Sequence, residues 1–297
     1  MSTPPAGVEV YPEALRSEVD AYLAELTFSG DAVTAGLQEA MRYSLLAGGK
    51  RIRPVLALAT AEAVGRLTDE VLPLAAALEL IHTYSLIHDD LPAMDDDELR
   101  RGKPTCHVVF GEHVAILAGD GLFAEALRLV VEEQRDAPED VLAAVGRLVR
   151  AAGVEGMVGG QYLDVTATGA GDGAGLRELH QRKTGELIAA SVECVLLLGG
   201  AGQPDTIAYN RFAVELGVLF QIVDDILDVT GSEEALGKPR GSDERHGKRT
   251  YVSVFGLGRA RELAHESHRK ARAALDGANG QTETLERITD YILTRQR

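Results

Sequence analysis

Apolar residues recur at helical spacing along almost the whole chain, with short polar breaks between the runs. The pattern predicts helices over 12–27, 31–47, 54–64, 69–90, 111–133, 137–165, 174–198, 204–230, 249–275 and 282–295. Pro12 and Pro54 suit first-turn positions, Pro73 is tolerable near the start of its segment, and Gly30, Gly48–Gly49 and Gly65 suit helix stops. No convincing run of alternating strands is evident. Residues 168–175 and 277–281 are Gly-rich and read as loops. Residues 231–248, long, polar and rich in Gly and Lys, read as a mobile loop. No composition shift and no fixed-period repeat divides the chain. The expectation is an all-α fold, a single-domain bundle of about ten or more helices over 12–297, with residues 1–11 a disordered N-terminus.

Several of these helices are apolar on nearly all sides, so other helices must surround them and their few polar residues are informative. In "LELIHTYSLIHDD" (78–90), His82, Ser85 and Asp89 are spaced three and four apart, which lines them along one face. In "VLFQIVDDILDVTG" (218–231), Gln221, Asp224 and Asp228 repeat the spacing, with Asp225 beside them. A third helix offers Met157, Gln161 and Asp164, and a fourth His180, Lys183 and Thr184. Buried carboxylates cost several kcal/mol each unless they are paired or bound to metal. The economical arrangement turns all four stripes toward one shared cavity.

Composition narrows the chemistry. The net charge of −16 argues against nucleic acid as a partner, because such binding needs a basic footprint. Two cysteines, Cys106 and Cys194, are too few for a disulfide framework and read as small core residues in a reducing compartment. The first thirty residues lack the basic start and apolar core of a signal peptide, and no uncharged apolar run is long enough to span a bilayer. The protein is expected to be cytoplasmic, with no stable membrane anchor.

Six acidic residues crowd into 89–98: Asp89, Asp90, Asp95, Asp96, Asp97 and Glu98. Such a cluster stays either in open water or around cations. In a straight helix Asp89 and Asp95 would point about 120° apart. Pro92 between them breaks the hydrogen bonding, so "LPAM" can loop outward and bring Asp95 back beside Asp89. Asp224 and Asp228, one turn apart, are placed to converge on a hard divalent cation. Carboxylate oxygens completed by water and phosphate suit Mg²⁺. The basic complement is "GGKRIRP" (48–54), which sets Lys50, Arg51 and Arg53 after a Gly pair at a helix mouth, joined by Arg100, Arg101, Lys183, Lys238 and Lys248. Two carboxylate clusters with dispersed cations suggest two diphosphates, one held through metal and one held directly.

With these residues in view, the sequence resembles the trans-prenyl diphosphate synthases, most closely the bacterial farnesyl diphosphate synthases. "DDLPAMDDDELRRGKPTCH" resembles the first aspartate-rich motif with a two-residue insertion, and "FQIVDDILDVTG" the second. "LLAGGKRIRP", "GMVGGQYLD", "KTGELI" and "GKPRGSDERHGKRTY" match other family blocks in order, so the resemblance covers roughly 30–295. It implies the isoprenoid synthase fold around a central cavity, a homodimer, and Mg²⁺-dependent condensation of an allylic diphosphate with isopentenyl diphosphate. Three ions are expected with substrate bound, and Mn²⁺ is an alternative metal. It further implies Asp89, Asp95 and Asp224 as metal ligands, supported by Asp90, Asp225 and Asp228. Arg100, Lys183, Lys238 and Lys248 would contact the allylic diphosphate, and Gly49, Lys50, Arg53, His82 and Arg101 isopentenyl diphosphate. Lys183, Thr184, Gln221 and Asp224 would serve the chemical step.

The product tail is expected to run from Asp89 along its helix into the apolar interior. Residues four and five positions upstream, Ser85 and Tyr84, lie about 6–7.5 Å further down. By resemblance, a bulky aromatic there acts as a floor, which points to a fifteen-carbon farnesyl product. Geranyl or geranylgeranyl diphosphate synthase is the alternative within the family. A terpene cyclase would not need Lys50, Arg53 and Arg101, and a non-catalytic regulatory subunit would have lost one aspartate motif. A di-iron bundle would show Glu-x-x-His pairs.

Overall fold

The computed structural model describes residues 11–166, 173–199, 203–231 and 248–295. The helices are α1 (Glu13–Glu25), α2 (Ala35–Leu45), α3 (Ile52–Ala63), α4 (Leu72–Asp89), α5 (Cys106–Phe110), α6 (Glu112–Glu133) and α7 (Pro138–Ala152). They continue as α8 (Met157–Thr166), α9 (Gly173–His180), α10 (Glu186–Leu198), α11 (Gln203–Thr230), α12 (Tyr251–Phe255), α13 (Leu257–Leu275) and α14 (Glu283–Thr294). A π-turn, Gln181–Gly185, joins α9 to α10, and Pro73 sits in the first turn of α4 as expected. Residues 1–10, 168–172 and 232–247 of the segments read as N-terminus and loops lie outside the described residues. Tyr11, the last residue of the expected disordered stretch, is buried against Tyr291 and donates its hydroxyl to the Lys50 carbonyl at 2.5 Å.

Apolar side chains at most positions of α3, α4 and α10 bury almost every face, which makes these three the centre of the bundle. Helix α4 lies between α3 and α6, while α10 contacts α3, α4, α7 and α11. Helices α13 and α14 cover α11, and one continuous hydrophobic core runs through all of them. The stretch Asp69–Asp89 is long and apolar enough to cross a membrane, but it carries Glu79 and most of it is buried in this core.

Three departures from the periodic reading have local causes. The helix expected over 137–165 is two helices, because the chain turns at 153–156; a Cβ on Gly156 would come within 2.0 Å of the Ala151 carbonyl oxygen. The helix expected over 249–275 breaks at Gly256, whose φ of 79° lies outside helical space. A two-residue hairpin, β1 (Leu99–Arg100) with β2 (Lys103–Pro104), appears where no strand was expected. Its turn residues Arg101 and Gly102 both have positive φ, 54° and 74°, the hairpin geometry that matches strand twist. That hairpin is too short for any periodic signal, and it decides where two arginines point.

Candidate active site

Helix α4 ends at the acidic cluster, and Pro92 stops it as expected. The chain loops out and returns: the Asp95 amide donates to the Asp89 carbonyl at 2.8 Å, and the Asp96 amide to the Leu91 carbonyl at 3.1 Å. Asp89 is buried and accepts from Gln161 Nε2 at 3.0 Å. Asp90 turns the other way. Arg100 on the hairpin holds it with contacts of 2.5 to 3.0 Å, and burial pushes its carboxyl up to about 6 against the pull of that guanidinium.

Two lysines from distant elements meet this acidic rim. Lys183, on the π-turn, donates to Asp164 at 2.7 Å and lies 3.6 Å from Asp89. Lys248 reaches Asp95 at 2.8 Å and Asp164 at 3.6 Å. Asp164 is therefore the node joining both ammonium groups. Burial works against the charge on Lys183, but Asp89, Asp164 and Asp95 together hold its proton more tightly than usual. The same lysines hold Asp164 below the usual carboxylate range against the effect of burial.

A third strip comes from α10's approach and α11. Thr184 Oγ1 donates to Gln221 Oε1 at 3.0 Å, and Gln221 Nε2 donates to Asp225 at 2.7 Å. Asp225 is fully buried and also accepts from the Tyr251 amide at the start of α12, at 2.7 Å. Its neighbour Asp224 stays largely exposed, with Arg295 at 3.2 Å.

Part of the same lining is basic. Arg53 is buried on α3, its Nε without a hydrogen-bond partner among the described residues, and Arg101 faces the same space. The Arg101 guanidinium lies on the Gly48 carbonyl and against the Gly49 backbone, where a Cβ would come within 2.6 Å of it. Burial, reinforced by Arg101 and opposed by Glu79, lowers Arg53 to about 10. His82 is kept neutral: burial first, then Arg53, Arg101, Arg100 and Arg51, hold it well below its ordinary value. Among the described residues neither guanidinium makes a salt bridge, so a buried arginine and a more exposed one beside it are arranged for an anion. Arg51, counted with the anion-binding residues from sequence, is instead a structural group. It adopts φ of 54° and is anchored in the core by Glu79 at 2.7 Å, Asp20 at 2.9 Å and the Leu45 carbonyl at 2.8 Å.

All of these surfaces border one cavity of about 310 Å³. Of the four polar stripes, only Asp228 is missing from its lining; it is buried elsewhere on α11. Arg53, His82, Ser85, Asp89, Asp95, Arg100 and Arg101 line the cavity, as do Lys183, Thr184, Gln221, Asp224, Asp225 and Lys248. Gly49, Lys50, Tyr84 and Asp90 do not line it directly. Lys50 sits over the rings of Tyr11 and Tyr291 at 5.9 and 5.5 Å. Tyr84 meets Phe123 and His88 edge-on at 5.4 and 5.8 Å. Lys238 lies outside the described residues. Asp164 as a lysine-binding node was visible in the sequence only as part of a stripe. Arg295 gave no signal, because its partner is 71 positions away.

Among the described residues no three acidic, His or Cys side chains form a closed metal cage. Asp89, Asp95 and Asp224 are hard oxygen donors bordering a polar cavity, which suits Mg²⁺, an ion that keeps water and phosphate in its shell. The donor set fits that ion.

Residues 34–292 match the family described as polyprenyl synthetase. A farnesyl diphosphate synthase of Geobacillus stearothermophilus is 48% identical over 88% of this chain and 89% of its own. A chloroplastic geranylgeranyl pyrophosphate synthase of Capsicum annuum is 46% identical over 87% of this chain and 71% of its own. Among solved structures, an FPP/GFPP synthase from Zymomonas mobilis superposes with a TM-score of 0.83, at 35% identity, over 95% of this chain and 97% of that one.

Proposed function

The chain belongs to the polyprenyl synthetase family and is a short-chain trans-prenyltransferase, and from that premise we propose that it makes farnesyl diphosphate. The reaction is condensation of isopentenyl diphosphate with dimethylallyl or geranyl diphosphate. The observation that carries this reading is the meeting, in one cavity, of the Asp89–Asp95 rim, the Asp224 rim and the guanidinium pair Arg53–Arg101.

In this reading Asp89, Asp95 and Asp224 would hold Mg²⁺, which when bound would neutralise and orient the allylic diphosphate. Lys183, Lys248 and Arg100 add positive charge at the same mouth, so the departing diphosphate leaves into a region already polarised to receive it. As the C–O bond breaks, the allylic fragment becomes positive, and the oxygens of Thr184 and Gln221 border it. Arg53 and Arg101 hold isopentenyl diphosphate, and neutral His82 contributes hydrogen bonding rather than charge. Its double bond, held close, attacks the allylic carbon. The released diphosphate takes the proton whose loss restores an alkene. Water must be kept out, since it would trap the cation. The enzyme acts as a homodimer: α5 and α6 leave Val108, Val109, Ile116 and Leu117 exposed as a face for a second copy.

A twenty-carbon product is the second reading. It is favoured by the position of Tyr84, which is turned onto Phe123 rather than into the main cavity. Incubation with labelled isopentenyl diphosphate, Mg²⁺ and geranyl diphosphate, followed by product chromatography, tests the proposal. A fifteen-carbon diphosphate is expected. Geranylgeranyl diphosphate would move the product to the second reading, and no condensation at all would overturn the function.

A further inference from the structure

Resting on the prenyltransferase reading, we infer that Asp225 is a positioning residue that fixes which way the Gln221 amide faces, and is not a metal ligand. The two ends of a primary amide are nearly identical in shape, so its hydrogen-bond partners alone decide its orientation. An ionised carboxylate only accepts. Asp225 is 1% exposed, and each of its oxygens has a donor: Oδ1 takes Gln221 Nε2 and Oδ2 takes the Tyr251 amide, both at 2.7 Å.

This forces the NH₂ end of Gln221 toward Asp225 and the carbonyl end toward Thr184, whose hydroxyl donates to it at 3.0 Å. Thr184 and Gln221 both border the cavity. The reaction places positive charge there, and an oxygen-first amide stabilises it by charge–dipole attraction in a site of low dielectric. A flipped amide would present N–H groups to that charge and set its carbonyl against a buried carboxylate. Both changes are unfavourable, so the carboxylate acts as a lock on the dipole.

The same carboxylate has a second consequence. Its Tyr251 contact ties Gln221 to the first turn of α12, three residues after Lys248. The Thr250–Ser253 capping box stiffens that turn. Neighbouring aspartates on α11 thus divide the work: Asp224 is exposed at the rim, and Asp225 is spent on orientation.

The test is a double-mutant cycle with Gln221→Ala, Asp225→Asn and the pair. Asp225→Asn should lower kcat about 10–100-fold, with KM for both diphosphates within about threefold of the unsubstituted chain. In the Gln221→Ala background the same change should cost less than about threefold, because its route of action is already gone. Mn²⁺ binding in the presence of inorganic diphosphate, followed by electron paramagnetic resonance, should be unchanged by Asp225→Asn. Equal losses in both backgrounds, or Mn²⁺ binding weakened about tenfold, would overturn the assignment while leaving the function standing. If the unsubstituted chain shows no condensation, both fall. Should Asp225→Asn fail to fold by circular dichroism, Asp225→Glu takes its place in the cycle, and the same non-additivity is required.

Discussion

At the scale of single residues, identical side-chain types do different work because their neighbours differ. Asp89 and Asp224 face the cavity, whereas Asp90 is held by Arg100 and Asp225 by Gln221 and Tyr251. Asp89→Ala and Asp224→Ala should each reduce turnover by orders of magnitude with the helical circular dichroism intact; near-normal rates would remove that residue from the mechanism. Tyr84→Ala opens space beside Phe123 and should lengthen the product toward twenty carbons, as read by chromatography. Loss of its packing should also cost about 3 kcal/mol of stability in chemical denaturation. His82 gives a pH signature. Its folded value lies below its unfolded one, so its contribution to stability is present above the ordinary imidazole value of about 6.5 and is lost as pH falls below it. The unfolding free energy of His82→Gln should therefore fall less between pH 6.5 and 5 than that of the unsubstituted chain.

At the scale of elements, the site depends on how closely three backbones approach. Lys183 and Thr184 sit on a π-turn, a single-turn irregularity that redirects side chains within a helix. Gly160 of α8 lies directly against it, and a Cβ there would come within 2.3 Å of the Lys183 amide nitrogen. Gly160→Ala should push α8 from the π-turn, separating Gln161 and Asp164 from Asp89 and Lys183. A fall in thermal midpoint together with at least tenfold lower kcat is expected. Much of this convergence was legible in the sequence. Three-and-four spacing exposes a polar stripe on a buried helix, and eleven of the twelve stripe positions do meet at one cavity. What spacing does not reveal is the destination of a charge once tertiary partners compete for it. Arg51 was claimed by Glu79 and Asp20, and Arg100 reached Asp90 only through a hairpin too short to read. The turn at 153–156 was hidden for a similar reason: apolar periodicity continues across it while the backbone does not.

At the scale of the whole molecule, a chain of net charge −16 can bind two polyanions only if charge is organised locally. Lys183 and Lys248 interleave with Asp89, Asp95 and Asp164, while Arg53 and Arg101 stand apart from that network. The exposed apolar face of α5 and α6 predicts a particle of twice the 31.7 kDa chain mass in light scattering, and Leu117→Asp should shift it toward monomer. The central claim is that two opposed acidic rims grip one diphosphate through metal above the cavity. Its most direct test is a crystal soaked with Mn²⁺ and a non-ionisable allylic diphosphate analogue. Anomalous density bridging Asp89 and Asp95 on one side and Asp224 on the other, with phosphate oxygens between, is the predicted result. Ordered analogue in the cavity with no metal at either rim would contradict the account.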